Sequence, residues 1–307
     1  MTDPQPDAGL VQTGPRTLGE GGLQIGPLAF GCWRFTTSSV AEGRDLIETA
    51  LDQGMNLIDT ADVYGLDYGG EGFGYNEELL GKVLADAPEL RGRMVLASKG
   101  GIIPPVPYDQ SASYLRRACE ASLQRLGVDV IDLYQIHRPD LFTHPAELAE
   151  TLTALREEGK IREVGVSNFT VAQTDAVAAH LPFPLASDQP EYSVVHLDPL
   201  RDGTLDRAMQ RDVVPLAWSP LGGGRVATGE GLRPELLETL DRLAEREGVD
   251  RATVAMSFVL AHPSAPVVLV GSQRPERLVA ATAALGVRLD RNDCYDLIEA
   301  SEGVPLP

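Results

Sequence analysis

Short apolar runs recur along the chain, and between them apolar positions return every three or four residues, the alternation of buried strands with amphipathic helices. The runs predict strands at Pro27–Gly31, Met55–Asp59, Met94–Ser98, Val130–Ile136, Ile161–Val166, Leu185–Asp188, Val213–Ala217 and Val267–Val270. The helical stretches are Val40–Gln53, Asn76–Asp86, Ala112–Leu126, Pro145–Glu158, Val171–Ala179, Leu200–Gln210, Pro234–Glu247, Arg251–Ala261, Pro275–Leu285 and Arg291–Ala300. Ser38-Ser39 and Gly54 punctuate the first of these as start and stop signals. Ahead of the first strand, Arg16 to Gly31 opens as a hairpin turned at Glu20-Gly21-Gly22. Two segments resist either period: the glycine-rich loop Gly65–Gly74 and the stretch holding Pro104, Pro105 and Pro107, read as a long loop.

Roughly eight strands, each followed by helical sequence, make an α/β chain of the kind that closes as a (β/α)8 TIM barrel. The hairpin and the last helical stretch are additions at its two ends, an N-terminal β-hairpin and a C-terminal helical tail. A doubly wound open sheet is the alternative, and the first strand leads into AFGCWRF rather than the GxGxxG turn such a sheet uses for dinucleotides. A length of 307 residues suits one barrel domain, taken as 17–307. The Pro-, Asp- and Gly-rich residues 1–16 read as a flexible tail without a secretory signal.

Composition narrows the partners. The formal charge is −19, with Lys+Arg 26 against Asp+Glu 45, so the surface repels nucleic acid and anionic membranes. No apolar stretch approaches the roughly 18 residues that span a bilayer. Cys32, Cys119 and Cys294 are scattered and match no metal spacing; free thiols in a reducing cytoplasm are expected, with no metal. Lysine occurs only at 82, 99 and 160 in an arginine-rich chain, which singles out Lys99.

The carboxyl ends of parallel strands are where barrels build their chemistry. Those ends carry Gly31-Cys32-Trp33, Asp59 with Tyr64, Ser98-Lys99-Gly100, His137, Ser167-Asn168, Asp188-Gln189, Trp218-Ser219-Pro220 and Gly271-Ser272. Each has a bland explanation alone, such as a helix cap or a satisfied core histidine. Together, Asp59, Tyr64, Lys99 and His137 suit proton transfer to an oxygen. The ordinary tyrosine pKa, near 10, is too high for acid–base work at neutral pH. A neighbouring lysine is expected to lower it, and an aspartate to keep that lysine charged. Histidine supplies a second polar contact to the oxygen. This is equipment for carbonyl reduction with Tyr64 as general acid. Trp218 offers a ring face for a nicotinamide, Ser167, Asn168 and Gln189 offer partners for its carboxamide, and Gly222-Gly223-Gly224 lets backbone approach a pyrophosphate. Ser272, Arg274 and Arg277 bring positive charge to a helix start, a natural place for a phosphate.

The motifs NLIDTADVYG, ASKGGI, DLYQIHRPD, KIREVGVSNF, DQPEYS, AWSPLGGG and VGSQRPERL resemble those of the aldo-keto reductases, in family order from about Leu18 to Leu285. The resemblance is to an uncharacterised bacterial oxidoreductase branch. It implies a catalytic tetrad of Asp59, Tyr64, Lys99 and His137. It also implies a nicotinamide cofactor lined by Gly31, Cys32, Trp33, Asp59, Ser167, Asn168, Gln189 and Trp218, with the loop Ser219, Pro220, Leu221, Gly222 and Gly224 along the pyrophosphate. Gly271, Ser272, Gln273, Arg274 and Arg277 would take the far end, Arg277 matching the arginine that contacts a 2′-phosphate. NADPH is therefore preferred, with NADH possible. Trp218 stands where many members have tyrosine, and Gly271-Ser272 and Ala280-Ala281 where many have Lys-Ser and Glu-Asn.

The resulting expectation is a cytoplasmic, NADPH-dependent reductase of small-molecule aldehydes or ketones, of unknown oligomeric state. Two other classes stay open: an NADP(H)-binding regulatory or redox-sensing protein on the same fold, and a barrel enzyme forming a Schiff base at Lys99. The loop Leu66–Gly74 is expected to border the substrate pocket.

Overall fold

A computed structural model describes residues 9–37 and 39–306. The chain begins with an antiparallel hairpin, β1 (Arg16–Leu18) and β2 (Leu23–Ile25). Next come β3 (Leu28–Gly31), α1 (Val40–Asp52), β4 (Leu57–Asp59), α2 (Tyr75–Asp86) and β5 (Val95–Gly100). A small antiparallel pair, β6 (Ile102–Ile103) and β7 (Val106–Tyr108), precedes α3 (Ala112–Leu126), β8 (Ile131–Ile136), α4 (Pro145–Glu157), β9 (Ile161–Ser167) and α5 (Val171–Ala178). The rest comprises β10 (Ser187–Gln189), α6 (Thr204–Arg211), β11 (Val214–Ala217), the single turn α7 (Arg225–Thr228), α8 (Pro234–Glu247), α9 (Arg251–Leu260), β12 (Val267–Val270), α10 (Pro275–Ala281) and α11 (Arg291–Glu302).

Strands β3, β4, β5, β8, β9, β10, β11 and β12 pair in parallel in that order, and β12 returns to β3 to close the barrel. Side chains alternate between its two faces. Phe30, Ile58, Leu96, Tyr134, Val164 and Val268 point outward into the layer filled by the helices. Ala29, Leu57, Val95, Ala97, Leu133, Leu216 and Leu269 point inward. Leu18 and Ile25 of the hairpin join this inner cluster and plug the end at which the strands begin. The interior is thus apolar at the hairpin end, leaving the opposite mouth for polar groups.

Three segments differ from the sequence reading. The proline-rich stretch is not a bare loop, because the β6–β7 register pairs Ile102 with Tyr108 and Ile103 with Val106, leaving the prolines where no donor is needed. Helix α6 starts at Thr204 rather than Leu200; Pro199 sits in a 3-10 turn, and Gly203, at φ 88, restarts the chain as a helix. Residues 9–16 of the expected tail are tied down: Leu10 N–H donates to Leu289 O, Gln12 N–H to Leu260 O, and Arg16 Nε to Ala265 O at 2.6 Å. Residues 1–8 of that tail lie outside the described residues, as does Ser38, while Ser39 caps α1 by accepting from Glu42 N–H.

Candidate active site

The period of two that builds the barrel also delivers its chemistry. Leu57 points inward, so Asp59 does; Ala97 puts Lys99 inside, Leu133 puts Gln135 inside, and Leu216 is followed by Trp218. Lys99, placed after a strand by the sequence reading, is the penultimate residue of β5 and fully buried. Its Nζ donates to Asp59 Oδ2 at 2.7 Å, to Thr60 O at 3.0 Å and to Tyr64 Oη at 3.1 Å. All three ammonium donors are therefore used, and one of them is aimed at the phenol. Tyr64 meets the edge of the His137 ring at a centroid distance of 5.6 Å. The structure thus brings all four predicted tetrad residues together at the mouth.

Gln135 was absent from the sequence reading. Its Nε2 donates to Asp59 Oδ1 at 3.0 Å, and Gln189 Nε2 donates to the same oxygen at 3.1 Å. Asp59 thus spends one oxygen on Lys99 and the other on two amides. The signal was available in the inward alternation Leu133–Gln135–His137, which a search of strand termini alone passes over. The Gln189 amide is committed to Asp59 and, at 3.2 Å, to Gln135 Oε1. It lies beneath the site rather than standing free for a carboxamide.

Burial and charge set the protonation states. Burial alone pulls the Lys99 pKa down, but Asp59 and Tyr64 outweigh it and hold the value above the ordinary lysine one. For Tyr64 the expected lowering does not win: burial pushes its pKa up, Lys99 opposes this, and Asp59 adds to it. Tyr64 is consequently a phenol, a proton donor in waiting. His137 is pushed well below the usual histidine range by burial, then by the charges of Lys99 and Arg138, so the imidazole is neutral. Its Nδ1 is buried without a hydrogen-bond partner among the described residues.

Ser167, Asn168 and Trp218 form a second connected set. Ser167 Oγ donates to Gln189 O at 2.8 Å, Asn168 Nδ2 to Ser167 Oγ at 2.8 Å, and Trp218 Nε1 to Asn168 Oδ1 at 3.0 Å. Asn168 adopts φ 60, a left-handed conformation that asparagine tolerates. Farther along, Gly222, Gly223 and Gly224 have φ 56, 72 and 103, and a Cβ on Gly223 or Gly224 would meet nothing within 4 Å. Ser219 Oγ fastens this loop by accepting from Gly223 N–H at 2.8 Å. Pro220 and Gly222 are buried within the turn. Gly271 likewise faces open space, although its backbone does not require glycine. These residues fit an elongated anionic dinucleotide: small residues border open space, and a string of backbone amides turns through consecutive left-handed residues. Beyond them, Arg274 is occupied by Glu276, at 2.5 Å, and Ser272 Oγ accepts from Arg274 N–H. Arg277 has no ion-pair partner among the described residues, and Gln273 Oε1 is buried without one.

The β3 end divides into two roles. Gly31 closes the strand and Cys32 is fully buried, its thiol pKa raised by burial and by Asp59. Trp33, expected along the cofactor, instead turns to the 66–74 loop, its ring 5.2 Å from that of Tyr68 and its Nε1 donating to Asp67 at 3.3 Å. Arg34 lies over both rings and donates to Gly223 O at 3.4 Å. Across the mouth, the Arg138 guanidinium sits 6.0 Å from the Trp218 ring and has no carboxylate partner among the described residues. Asp140, close by in sequence, is already taken by Gln110, Phe142 and Thr143. Among the described residues no cluster of His, Cys, Asp and Glu could hold a metal ion, and no helix is long and apolar enough to cross a membrane.

The profile of the Aldo/keto reductase family matches residues 27–302. The chain belongs to that family. It is 48% identical over 295 residues to a 6-dehydroglucose reductase of Novosphingobium aromaticivorans, covering 95% of this chain and 97% of the relative. It is 35% identical to the Escherichia coli oxidoreductase YdhF, covering 95% and 98%. Among solved structures, the glycerol dehydrogenase AKR11B4 from Gluconobacter oxydans superposes with a TM-score of 0.82 at 27% identity, covering 95% and 97%. The thermostable aldo-keto reductase Tm1743, in complex with the inhibitor epalrestat, gives 0.79 at 28% identity, covering 93% and 99%. The chain is accordingly an NAD(P)H-dependent oxidoreductase on an aldo-keto reductase barrel.

Proposed function

We propose that the protein reduces a sugar-derived aldehyde or ketone to the alcohol with NADPH, in the cytoplasm, Tyr64 serving as general acid. The observation that carries this reading is the Lys99 ammonium held between Asp59 Oδ2 and Tyr64 Oη, beside a neutral His137. When bound, the nicotinamide supplies the hydride that reaches the carbonyl carbon. Tyr64 gives its proton to the carbonyl oxygen as negative charge develops there. Lys99 stabilises the phenolate left behind, and Asp59 keeps the lysine charged at depth. His137, through Nε2, donates to the same oxygen and orients it.

Ser167 and Asn168 are suited to hold the carboxamide, Trp218 to cover the ring, and Ser219 to Gly224 to follow the pyrophosphate. Arg277, in the first turn of α10 and without an ion-pair partner among the described residues, is suited to a 2′-phosphate, which favours NADPH. The sugar-derived class is supported by the name of the 48%-identical relative, and by an aromatic pair and an unpaired guanidinium at the mouth. A module that only bound the cofactor would not need a lysine buried against a phenol. The test is a carbonyl panel followed by NADPH absorbance loss, with a hexose 6-aldehyde beside pyridoxal, methylglyoxal and aromatic aldehydes. Turnover of none of them would overturn the reading.

A further inference from the structure

Between the two catalytic residues Asp59 and Tyr64 lies a second carboxyl group that the reaction does not use. Asp62 is fully buried, and neither of its oxygens has a partner of ordinary hydrogen-bond geometry among the described residues, although the Val63 N–H lies close enough to favour the charged form. Its backbone is fixed: Thr60 N–H donates to Ala97 O and Asp62 N–H to Lys99 O, both at 3.0 Å, continuing the β5 ladder past Asp59. The turn that follows, closed by Tyr64 N–H on Ala61 O at 3.2 Å, presents the phenol. Asp62 is therefore the last residue on the β5 ladder before Tyr64.

What faces the carboxyl is also without a partner. The Tyr134 hydroxyl, outward from β8, is buried and has no hydrogen-bond partner among the described residues. The Cβ position of Gly100 falls 2.1 Å from that hydroxyl and 3.5 Å from Asp62 Oδ2, so the two groups border one point and only glycine fits between them. The charged and titratable groups around them are Lys99 from β5, Glu77 from α2, and Arg125, Tyr114 and Cys119 from α3. Glu77 already holds Arg125 at 2.6 Å, and Lys99 is spent on Asp59, Thr60 and Tyr64. Among the described residues no cation is left to neutralise a second buried carboxylate, and an unpaired one is strongly disfavoured.

We propose that Asp62 is a positioning residue for Tyr64 that works as a neutral carboxylic acid, hydrogen-bonded to the Tyr134 hydroxyl. The acid and the phenol are each donor and acceptor, so a hydrogen bond between them gives each the partner it lacks. The bond ties the Asp59–Tyr64 segment to β8, which also carries Gln135 and leads into His137. Neutrality has a second effect. Lys99 faces a single anion, Asp59, and its field remains directed at Tyr64. Burial, with the nearby Glu77 charge, pushes the Asp62 pKa well above the ordinary carboxyl value, in keeping with this state.

The positioning role rests on the proposed reductase reading, whereas the neutral acid does not, and the experiment separates them. Infrared spectra at mildly alkaline pH, where Asp188 with its pKa near 7 is ionised, should show a protonated-carboxyl band that disappears in Asp62→Asn and shifts in Tyr134→Phe. Absence of that band overturns the proposal whether or not carbonyls are reduced. In turnover, Asp62→Ala should lower kcat about tenfold with NADPH affinity unchanged, and the neutral isostere Asp62→Asn should recover most of that loss. If Asp62 ionisation contributes to the fall of kcat at high pH, that fall should begin at higher pH in Asp62→Asn than in the wild type and leave the limb set by Tyr64. An Asn variant as impaired as Ala overturns the positioning role.

Discussion

Lys99 Nζ lies 3.1 Å from the Tyr64 hydroxyl, and the same atom lies 2.7 Å from Asp59. The lysine is thus a fixed bridge between an anion and an acid, and removing the acid leaves the bridge standing. Tyr64→Phe is expected to lower kcat for carbonyl reduction by about 10²–10⁴-fold, the range of a positioned acid. NADPH affinity, read by quenching of tryptophan fluorescence, should stay within about twofold. Retained turnover in the phenylalanine variant would remove Tyr64 from the role.

The protonation states fix a pH profile. Tyr64 must carry its proton to act, and burial raises its pKa, so the reduction should persist through neutral pH and fail only in the alkaline range. His137 is neutral down to well below its ordinary value, so no step in kcat belongs near pH 6.5. A profile of kcat against pH that rises or falls steeply through that region would contradict the neutral imidazole.

Much of this was legible in the chain because one periodicity serves both core and site. The alternation that buries Leu57 and Ala97 also turns Asp59 and Lys99 inward, so strand ends could be read as chemistry. Gln135 was missed because it sits one inward step before the strand end, among residues that look like core. The sign of the Tyr64 shift was misjudged because proximity to Lys99 can be guessed from sequence, whereas complete burial of the phenol cannot. The β6–β7 pair escaped because prolines suppress a strand reading, and register alone shows that they avoid the ladder. The anchoring of residues 9–16 depends on carbonyls more than two hundred positions away, as in the contact of Arg16 with Ala265, which no local composition announces.

Arg277 tests the cofactor. Its guanidinium has no ion-pair partner among the described residues, whereas Arg274 is held by Glu276. Arg277→Ala should weaken NADPH by about tenfold or more, the value of a charge-assisted contact, and leave NADH nearly unchanged. Arg274→Ala should have the smaller effect. Fluorescence titrations with both cofactors decide it, and equal losses for NADPH and NADH would exclude a 2′-phosphate contact.

A different carboxyl group sets part of the stability. Asp188, on β10, has its pKa raised to about 7 by burial, against the partial opposition of Arg207. Because the folded value lies above the unfolded one, its stabilising contribution is complete below about pH 4 and is lost as pH rises toward 7. Asp188→Asn should remove that slope and be more stable than the wild type at pH 8, by on the order of 2–4 kcal/mol. Chemical denaturation of both proteins across that window is the measurement. Parallel curves would mean that Asp188 does not titrate there.

Arg138 is where substrate choice should be visible. It follows His137 directly, lies over Trp218, and carries a guanidinium without a carboxylate partner among the described residues, in a chain of net charge −19. Such a partly exposed donor fork is free to take a ligand, and the hydroxyls of a sugar offer acceptors for it. Arg138→Ala should therefore raise KM for a polyhydroxylated aldehyde about tenfold, roughly 1.4 kcal/mol. KM for a plain aromatic aldehyde should hardly move, since that molecule has nothing for the guanidinium to hold. The variant also removes one of the charges that depress the His137 pKa, so kcat must be compared at a pH above the ordinary histidine range. If both aldehydes lose equally, Arg138 acts through Trp218 or His137 and not on the substrate.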